Sequence, residues 1–503
     1  MFLLALVVRF VGLGWGLPNA GRWGSYHPDE SVHQIVGAVD TVLRGDFNPH
    51  FFNYPSLCVY ATTFVYYVLV IAGLTTNIAA PEYPWPKVHD VILAGRLFSV
   101  LCGAGMAVCV WGMAREVRLR RGAVLAGVLA ALCPGLVQHS HFATVDVPAT
   151  FLVAACLWAT LRASNAPSQT KWWIWSGIFV GLAAGAKYNA GLVVLAPLVA
   201  LGMAQRGEEK AAKWLFGGVV GLAALAFFIS TPYALLAPGE FWGDPARKTG
   251  FGYELLVHPR EGSGDVFEGT GLGWVYHLTF NLPFALTWPL LLAGIAGLVW
   301  AVKDKRQLPM VAFALVYFLI IGASNVRYMR YTFLLVPPLL VWASLAASRL
   351  PKATLWAGAL GLFALWGTKD VLTPMVSTDQ RDLAAAYMKS VGGTPTLINN
   401  PWFFTPPFQP SNVQMVVPGV KVVGLDGSLL AANDTLAAND YEVREGLRLH
   451  VYGPEAEFLK QAGVKTGKSE IFEFSNPTAL PGRKFEPHDY LYTHPGVRVT
   501  RLQ

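Results

Sequence analysis

Apolar runs long enough to cross a bilayer recur along roughly the first 370 residues, and no other feature restricts the fold so strongly. About 20 such residues span a hydrocarbon core of ~30 Å as a helix, which satisfies its own backbone where no water can. With 54% hydrophobic and 14% charged residues among 503, a soluble globule of this size is excluded. The net charge of +7 is assigned to cytoplasmic loops, not to a nucleic-acid surface. All five cysteines (58, 102, 109, 133 and 156) lie in apolar stretches, so no disulfide framework is implied. Residues 1–17 hold one Arg, at position 9, and no small-residue cleavage site, so they read as a retained first helix.

Lys and Arg collect at Arg115, Arg118, Arg120 and Arg121, at Arg206, Lys210 and Lys213, at Lys303, Lys305 and Arg306, and at Arg349 and Lys352. By the positive-inside rule these loops are cytoplasmic. Alternation then puts 139–148, 187–190, 234–281, 324–330 and everything after about 371 outside. The loop 18–89 must be outside as well, yet 56–74 is apolar enough to span. One crossing there would break the alternation. That segment is therefore read as a re-entrant or surface-lying outer helix, with an additional crossing near 75–87 as the other resolution. About eleven spans remain: 1–17, 90–114, 122–138, 147–163, 172–187, 189–204, 213–232, 283–302, 308–323, 331–348 and 353–370. Residues 371–503 lose apolar density. "DQRDLAAAYMKSVGG" has helical spacing, and "TPTLI", "VKVVGL", "EIFEF" and "VRVTRL" read as strands. The expectation is an all-α membrane domain, 1–370, with a small α/β exoplasmic domain, 371–503.

On this topology the acids and bases gather on one face: Asp29, Glu30, His33, His139, His141, Asp146, Lys187, His258, Arg260, Arg327 and Arg330. Nucleoside triphosphates are absent on that side. The chain also lacks a P-loop, an HExxH pattern and a GxSxG elbow. Transfer from a lipid-linked phosphate fits what remains. The leaving phosphate departs as an anion and requires cations but no proton, whereas the acceptor hydroxyl requires a base. One carboxylate with Arg or Lys suffices, unlike the paired carboxylates of a glycosidase.

"HPDE" follows the first apolar run. After it come "LRGDFNPHFFNYPSL", "AGRLFSVLCG", "HSHFATVDVP", "GLAAGAKYNAGL", "STPYALL" and "MRYTFLLVPPL", in that order over about residues 1–345. This ordered set resembles the GT-C class of multi-spanning glycosyltransferases, within it the protein O-mannosyltransferase/aminoarabinose transferase (PMT-type, family 39-like) group. The resemblance implies that Asp29 is the catalytic base and that Glu30 and Asp146 bind the acceptor or tune the base. Basic residues would hold the polyprenyl phosphate: Lys187 and Arg330, with Arg327 and His258 as further candidates. It also implies a juxtamembrane helix at 56–74. Asn53-Tyr54-Pro55 stands where the aminoarabinose enzymes place Glu-Lys before Pro, so no metal or phosphate contact is carried over there. MIR modules are absent, so a protein acceptor gains no support.

Each residue also has a plainer reading. Asp29, Glu30 and Asp146 could cap helices, Lys187 could snorkel, and Arg327 and Arg330 could bind lipid headgroups. His139-x-His141 is a weak metal pattern. Arg96 is expected to tie its helix entrance to the first loop. A transporter would show repeats and midplane charges, and a membrane-anchored sensor or assembly protein would work through its tail. The reading adopted is an inverting glycosyltransferase of the plasma (inner) membrane, multi-pass, with its site and tail exoplasmic. It would move a sugar from a polyprenyl-phosphate donor to a glycolipid, polysaccharide or protein hydroxyl. No metal ligand set or cofactor is assigned; a divalent metal remains open.

Overall fold

The structure, a computed structural model, describes residues 1–391 apart from 20, 23, 32–33, 85, 205–208, 262–266 and 268. Beyond these it describes 395–398, 414–416, 435–439, 466–472, 487–494 and 497–502. Helices occupy most of the first 376 residues. In order come α1 (Phe2–Phe10), α2 (Gln34–Arg44), α3 (Leu57–Ile71), α4 (His89–Glu116), α5 (Arg120–Ala131), α6 (Pro134–Ser140), α7 (Asp146–Asn165) and α8 (Thr170–Ala186). Further helices cover Leu195–Ala204, Glu209–Ser230, Trp288–Ala301, Leu308–Ala323, Val336–Arg349 and Ala353–Val376.

Among the described residues four helices are long and apolar enough to cross a membrane: His89–Glu116, Asp146–Asn165, Lys305–Ala323 and Met329–Arg349. Two bent pairs raise the number to six. One of them changes an expected boundary. The segment 283–302 is not one straight span, because Thr287 sits at φ +86° and turns Gly273–Leu286 by 116° away from Trp288–Ala301. The membrane helix starts with Trp288-Pro289, where a proline in the first turn sacrifices no backbone bond. The other pair, α5 and α6, bends by 47° at Pro134. That break frees carbonyls inside the bundle, and the fully buried Arg9 guanidinium donates to Ala131 O (2.8 Å), Ala130 O (3.3 Å) and Ser140 Oγ (3.0 Å). Arg9 is thus a structural plug for a broken helix. Helix α3 has 15 residues, about 22 Å at 1.5 Å per residue, and packs along α4.

Small residues set the closest helix approaches, as membrane packing without a hydrophobic drive between helices requires. A Cβ on Gly297 would lie 1.8 Å from Trp342 O, and one on Gly181 would lie 2.1 Å from Ala223 O. Gly297→Ala must therefore part Trp288–Ala301 from Val336–Arg349. A loss of about 1–3 kcal/mol is expected, read as a lower melting temperature in detergent. Gly217→Ala, with no neighbour within 4 Å, should leave it unchanged.

The tail contributes the helix Gln380–Val391 and a five-stranded sheet, in spatial order 414–416, 395–398, 435–439, 497–502, 466–472. The first two pairings are parallel and the last two antiparallel. "VKVVGL" lies outside the described residues. The tail helix touches the first outer loop, where Asp382 Oδ1 accepts from Tyr26 Oη (2.6 Å) and pairs with Arg22 (3.3 Å). All five cysteines are free and buried.

Candidate active site

"HPDE" forms a 3-10 turn, Pro28–Ser31, that points its two acids in different directions. Glu30 turns inward and is fully buried with Arg96, whose Nε and Nη2 donate to Oε1 (2.8 Å) and Oε2 (2.6 Å). Ser25 Oγ (2.5 Å) and Ala143 N (2.7 Å) complete its shell. Arg96 Nη1 also donates to Leu13 O and Trp15 O, at 2.7 and 2.6 Å. The pair fastens the end of the first apolar run, the 3-10 turn, α4 and the 143 loop into one unit. It has no capacity left for a ligand, which favours positioning over acceptor contact for Glu30.

Asp29 faces the other way. Its carboxylate lies 3.3 Å from Arg330 Nη2, and its side chain is 22% exposed, against 3% for Asp146 and 0% for Glu30. Of these acids it alone is open to an incoming group. Its N–H is 3.3 Å from His27 Nδ1, which therefore accepts and carries its proton on Nε2. Burial, helped by His139 and Arg330, holds the His27 imidazole well below its ordinary pKa and so neutral.

Asp146 opens α7, but its N-cap neighbour Val145 makes no side-chain cap, and the Asp146 carboxylate is spent elsewhere. Lys187 Nζ donates to Oδ1 at 2.7 Å, and Arg330 Nε is 4.0 Å from Oδ2. Lys187 sits at the break after α8, where the chain turns extended (φ −153°, ψ 124°) before the next 3-10 helix. It does not snorkel: its side chain is only 7% exposed and lies over the Tyr331 ring at 4.2 Å. Arg330 is equally buried, in the 3-10 turn Met329–Leu335, and stacks on Tyr328 at 4.1 Å.

The third partner of Arg330 comes from the tail. Asp489, fully buried, accepts from Arg330 N (2.9 Å) and Nη1 (2.5 Å). Its segment is locked in place: Tyr490 Oη donates to Asp370 (2.7 Å), Gln138 Nε2 donates to Thr493 Oγ1 (2.8 Å), and the Tyr492 ring meets His27 edge-on at 4.7 Å. Sequence reasoning missed Asp489 because an acid in a polar segment is unremarkable; only its setting, "PHDYLYTHP", is richer in rings than its surroundings. Three carboxylates thus face two cations. A cleft of about 250 Å³ opens beside them, lined by Asp29, Gln34, Tyr54 and the stretch 143–146.

Arg327 and His258 are not brought into this cluster. Arg327 Nη1 donates to Thr270 Oγ1 and Gly271 O, both at 2.6 Å, tying the large outer loop to the end of Leu308–Ala323. His258 Nδ1 pairs with Glu254 at 2.8 Å. Asn53 donates to Glu254 Oε1 (3.0 Å) and Lys248 O (3.0 Å) and accepts from Gly250 N (2.9 Å), so it staples the two outer loops together. His141 is spent on Val137 O and Val11 O, and His139 packs among Phe142 and Phe333. His33 lies outside the described residues. Among the described residues no group of three or more His, Cys, Asp or Glu could hold a metal ion.

A second inter-loop contact is exposed. His50 bridges Asp46 (3.0 Å) and Glu240 (2.8 Å), which raise its pKa above the ordinary value. Protonation therefore favours the contact, which is complete below about pH 6.5 and lost as pH rises through the raised value. Deuterium uptake at 46–50 and 238–242 should differ between wild type and His50→Gln at pH 6, and the difference should vanish by about pH 9, where both forms are uncharged.

Residues 87–231 match the family described as "Dolichyl-phosphate-mannose-protein mannosyltransferase". No curated protein sequence matches the chain. Among solved structures, the chain is similar to ArnT from Cupriavidus metallidurans bound to undecaprenyl phosphate: TM-score 0.53, 14% identity, 99% of this chain and 97% of that one. It is also similar to the oligosaccharyltransferase of Archaeoglobus fulgidus in the apo form: TM-score 0.50, 15% identity, 80% of this chain. It spans 63% of that protein's length. At such identities the likeness is one of fold. The family match thus covers the central helices alone, and the whole-length agreement with ArnT shows that this chain shares its fold.

Proposed function

We propose that this protein is an inverting glycosyltransferase that moves a sugar from a polyprenyl-phosphate carrier to an acceptor hydroxyl, with Asp29 as base. The observation that carries the reading is a single partly open carboxylate at a cleft whose two cations, Arg330 and Lys187, are otherwise buried. The fold is shared with a protein crystallised with undecaprenyl phosphate, which makes a polyprenyl phosphate the first donor to test.

The acceptor O–H gives its proton to Asp29, and the oxygen's electron pair forms a bond to the anomeric carbon as the carbon–oxygen bond to phosphate breaks. The carrier phosphate keeps that pair and departs as an anion toward Arg330 and Lys187. One displacement inverts the anomeric configuration. Asp146 holds Lys187, and Asp489 fixes both the backbone and the guanidinium of Arg330, so the cations are set before substrate arrives. Asp146 and Asp489 also offset the Arg330 charge. The Lys/Arg distribution supports an exoplasmic position for this site.

The test is transfer by purified protein in liposomes from undecaprenyl phosphate carrying radiolabelled mannose or glucose, with cell-envelope lipid extract as acceptor. Mass spectrometry of lipids from cells with and without the protein identifies the product. Labelled product of inverted configuration is expected. A product of retained configuration would remove the single-base scheme.

A further inference from the structure

The cleft beside Asp29 holds two polar side chains that the scheme above leaves without work. Gln34, the first residue of α2, is 6% exposed, and neither its Oε1 nor its Nε2 has a hydrogen-bond partner among the described residues. Thr144, 5% exposed, has an equally unpartnered Oγ1. Both line the cleft with Asp29 and Asp146. Buried polar groups are nearly always satisfied, and leaving one unsatisfied costs about 1–3 kcal/mol. Two in one cleft, beside a base, mark groups that meet their partners in a ligand.

The chemistry of the groups selects the ligand class. An amide offers a carbonyl acceptor and an NH₂ donor, and a threonine hydroxyl both donates and accepts. Sugar hydroxyls likewise do both. A phosphate dianion brings acceptors only; it would leave Gln34 Oε1 unsatisfied and would meet the carboxylates of Asp29 and Asp146. A prenyl chain would satisfy none of these atoms. The two polar residues ride on the elements that carry the acids: Gln34 follows the Asp29 turn, and Thr144 precedes Asp146.

We propose that Gln34 and Thr144 form a hydroxyl-reading subsite that binds a sugar ring next to Asp29. The inference rests on the glycosyltransferase reading and specifies what that site recognises. The ring belongs either to the donor or to a sugar on the acceptor; both present the same hydroxyl chemistry.

Gln34→Met and Thr144→Val keep volume and remove the hydrogen-bonding atoms. Binding of undecaprenyl phosphate, bare and carrying mannose or glucose, is measured for wild type and both variants, together with acceptor KM and the melting temperature of ligand-free protein. If the ring is the donor's, each variant loses roughly 2- to 10-fold of the preference for the sugar-bearing carrier, with bare-carrier binding unchanged. If it is the acceptor's, that preference stays and acceptor KM rises by a similar factor. Either result supports the subsite and assigns its source. Ligand-free Gln34→Met should melt no lower than wild type, because an unsatisfied group has been removed from a buried site. A lower melting temperature would show that Gln34 is satisfied within the protein and would overturn the proposal. So would variants whose sugar preference and acceptor KM are both unchanged, or whose bare-carrier binding falls equally. Wild type that binds no carrier and transfers no sugar would instead remove the functional reading itself.

Discussion

Asp29→Asn should lower turnover by roughly 10²–10⁴-fold, the usual worth of a general base. The substitution preserves shape, and Asn caps helices as well as Asp does. A capping role would therefore leave activity near wild type. The Asp29 carboxylate contributes one 3.3 Å ion pair to Arg330, which keeps Asp146 and Asp489, so folding and insertion should survive. Carrier-phosphate binding should hold or tighten slightly, because a negative charge beside Arg330 has gone. The measurement is single-turnover transfer with donor saturating, alongside carrier binding by the same protein. An Asp29→Asn protein that transfers at near wild-type rate would return Asp29 to a structural role.

Arg96→Met should be the most damaging single change to stability. It strands the Glu30 carboxylate in a fully buried site with only Ser25 Oγ and Ala143 N. Breaking a buried pair this way costs about 3–5 kcal/mol, a large part of the 5–15 kcal/mol by which a typical protein is stable. Reduced yield and a clearly lower melting temperature are expected. Arg96→Lys should recover only part, since an ammonium cannot make the bidentate contact or reach Leu13 O and Trp15 O together. The double variant Glu30→Gln/Arg96→Met removes both charges and should melt above Arg96→Met alone. Arg96→Met melting with wild type would mean that the pair does not anchor the first loop.

Much of this site was legible because charge at the end of an apolar helix is costly and must have a purpose. Asp29, Asp146, Lys187 and Arg330 stood among the outer-face charges visible on that ground, the family resemblance singled them out, and the structure brings these four together. Which of the adjacent acids would face the cleft was not legible. A one-residue difference in a 3-10 turn rotates a side chain by about a third of a turn, and only the position of Arg96 decides the outcome. Gln34 was hidden for a different reason. An amide at the head of an amphipathic helix has an ordinary polar setting, and its lack of partners exists only in three dimensions. The 283–302 boundary failed because Leu282-Pro283-Phe284-Ala285-Leu286 is apolar on either side of the bend, and hydropathy carries no information about the φ of Thr287.

Arg330 and the tail carboxylate that holds it are 159 positions apart in sequence. During synthesis the helices around Arg330 are made, inserted and able to pack while Asp489 is still to be translated. Until then Arg330 has lost its 2.5 Å partner and the bond that fixes its backbone N–H. Completion of this cluster and insertion of the helices are thus separate events. The bundle is made first with this cluster incomplete, and the docking of Tyr490, Tyr492 and Thr493 against helices already in place comes after it. Such a late, long-range contact is slow to form compared with neighbouring-helix packing. A chain stalled before its tail is made therefore holds the Arg330 cluster unassembled.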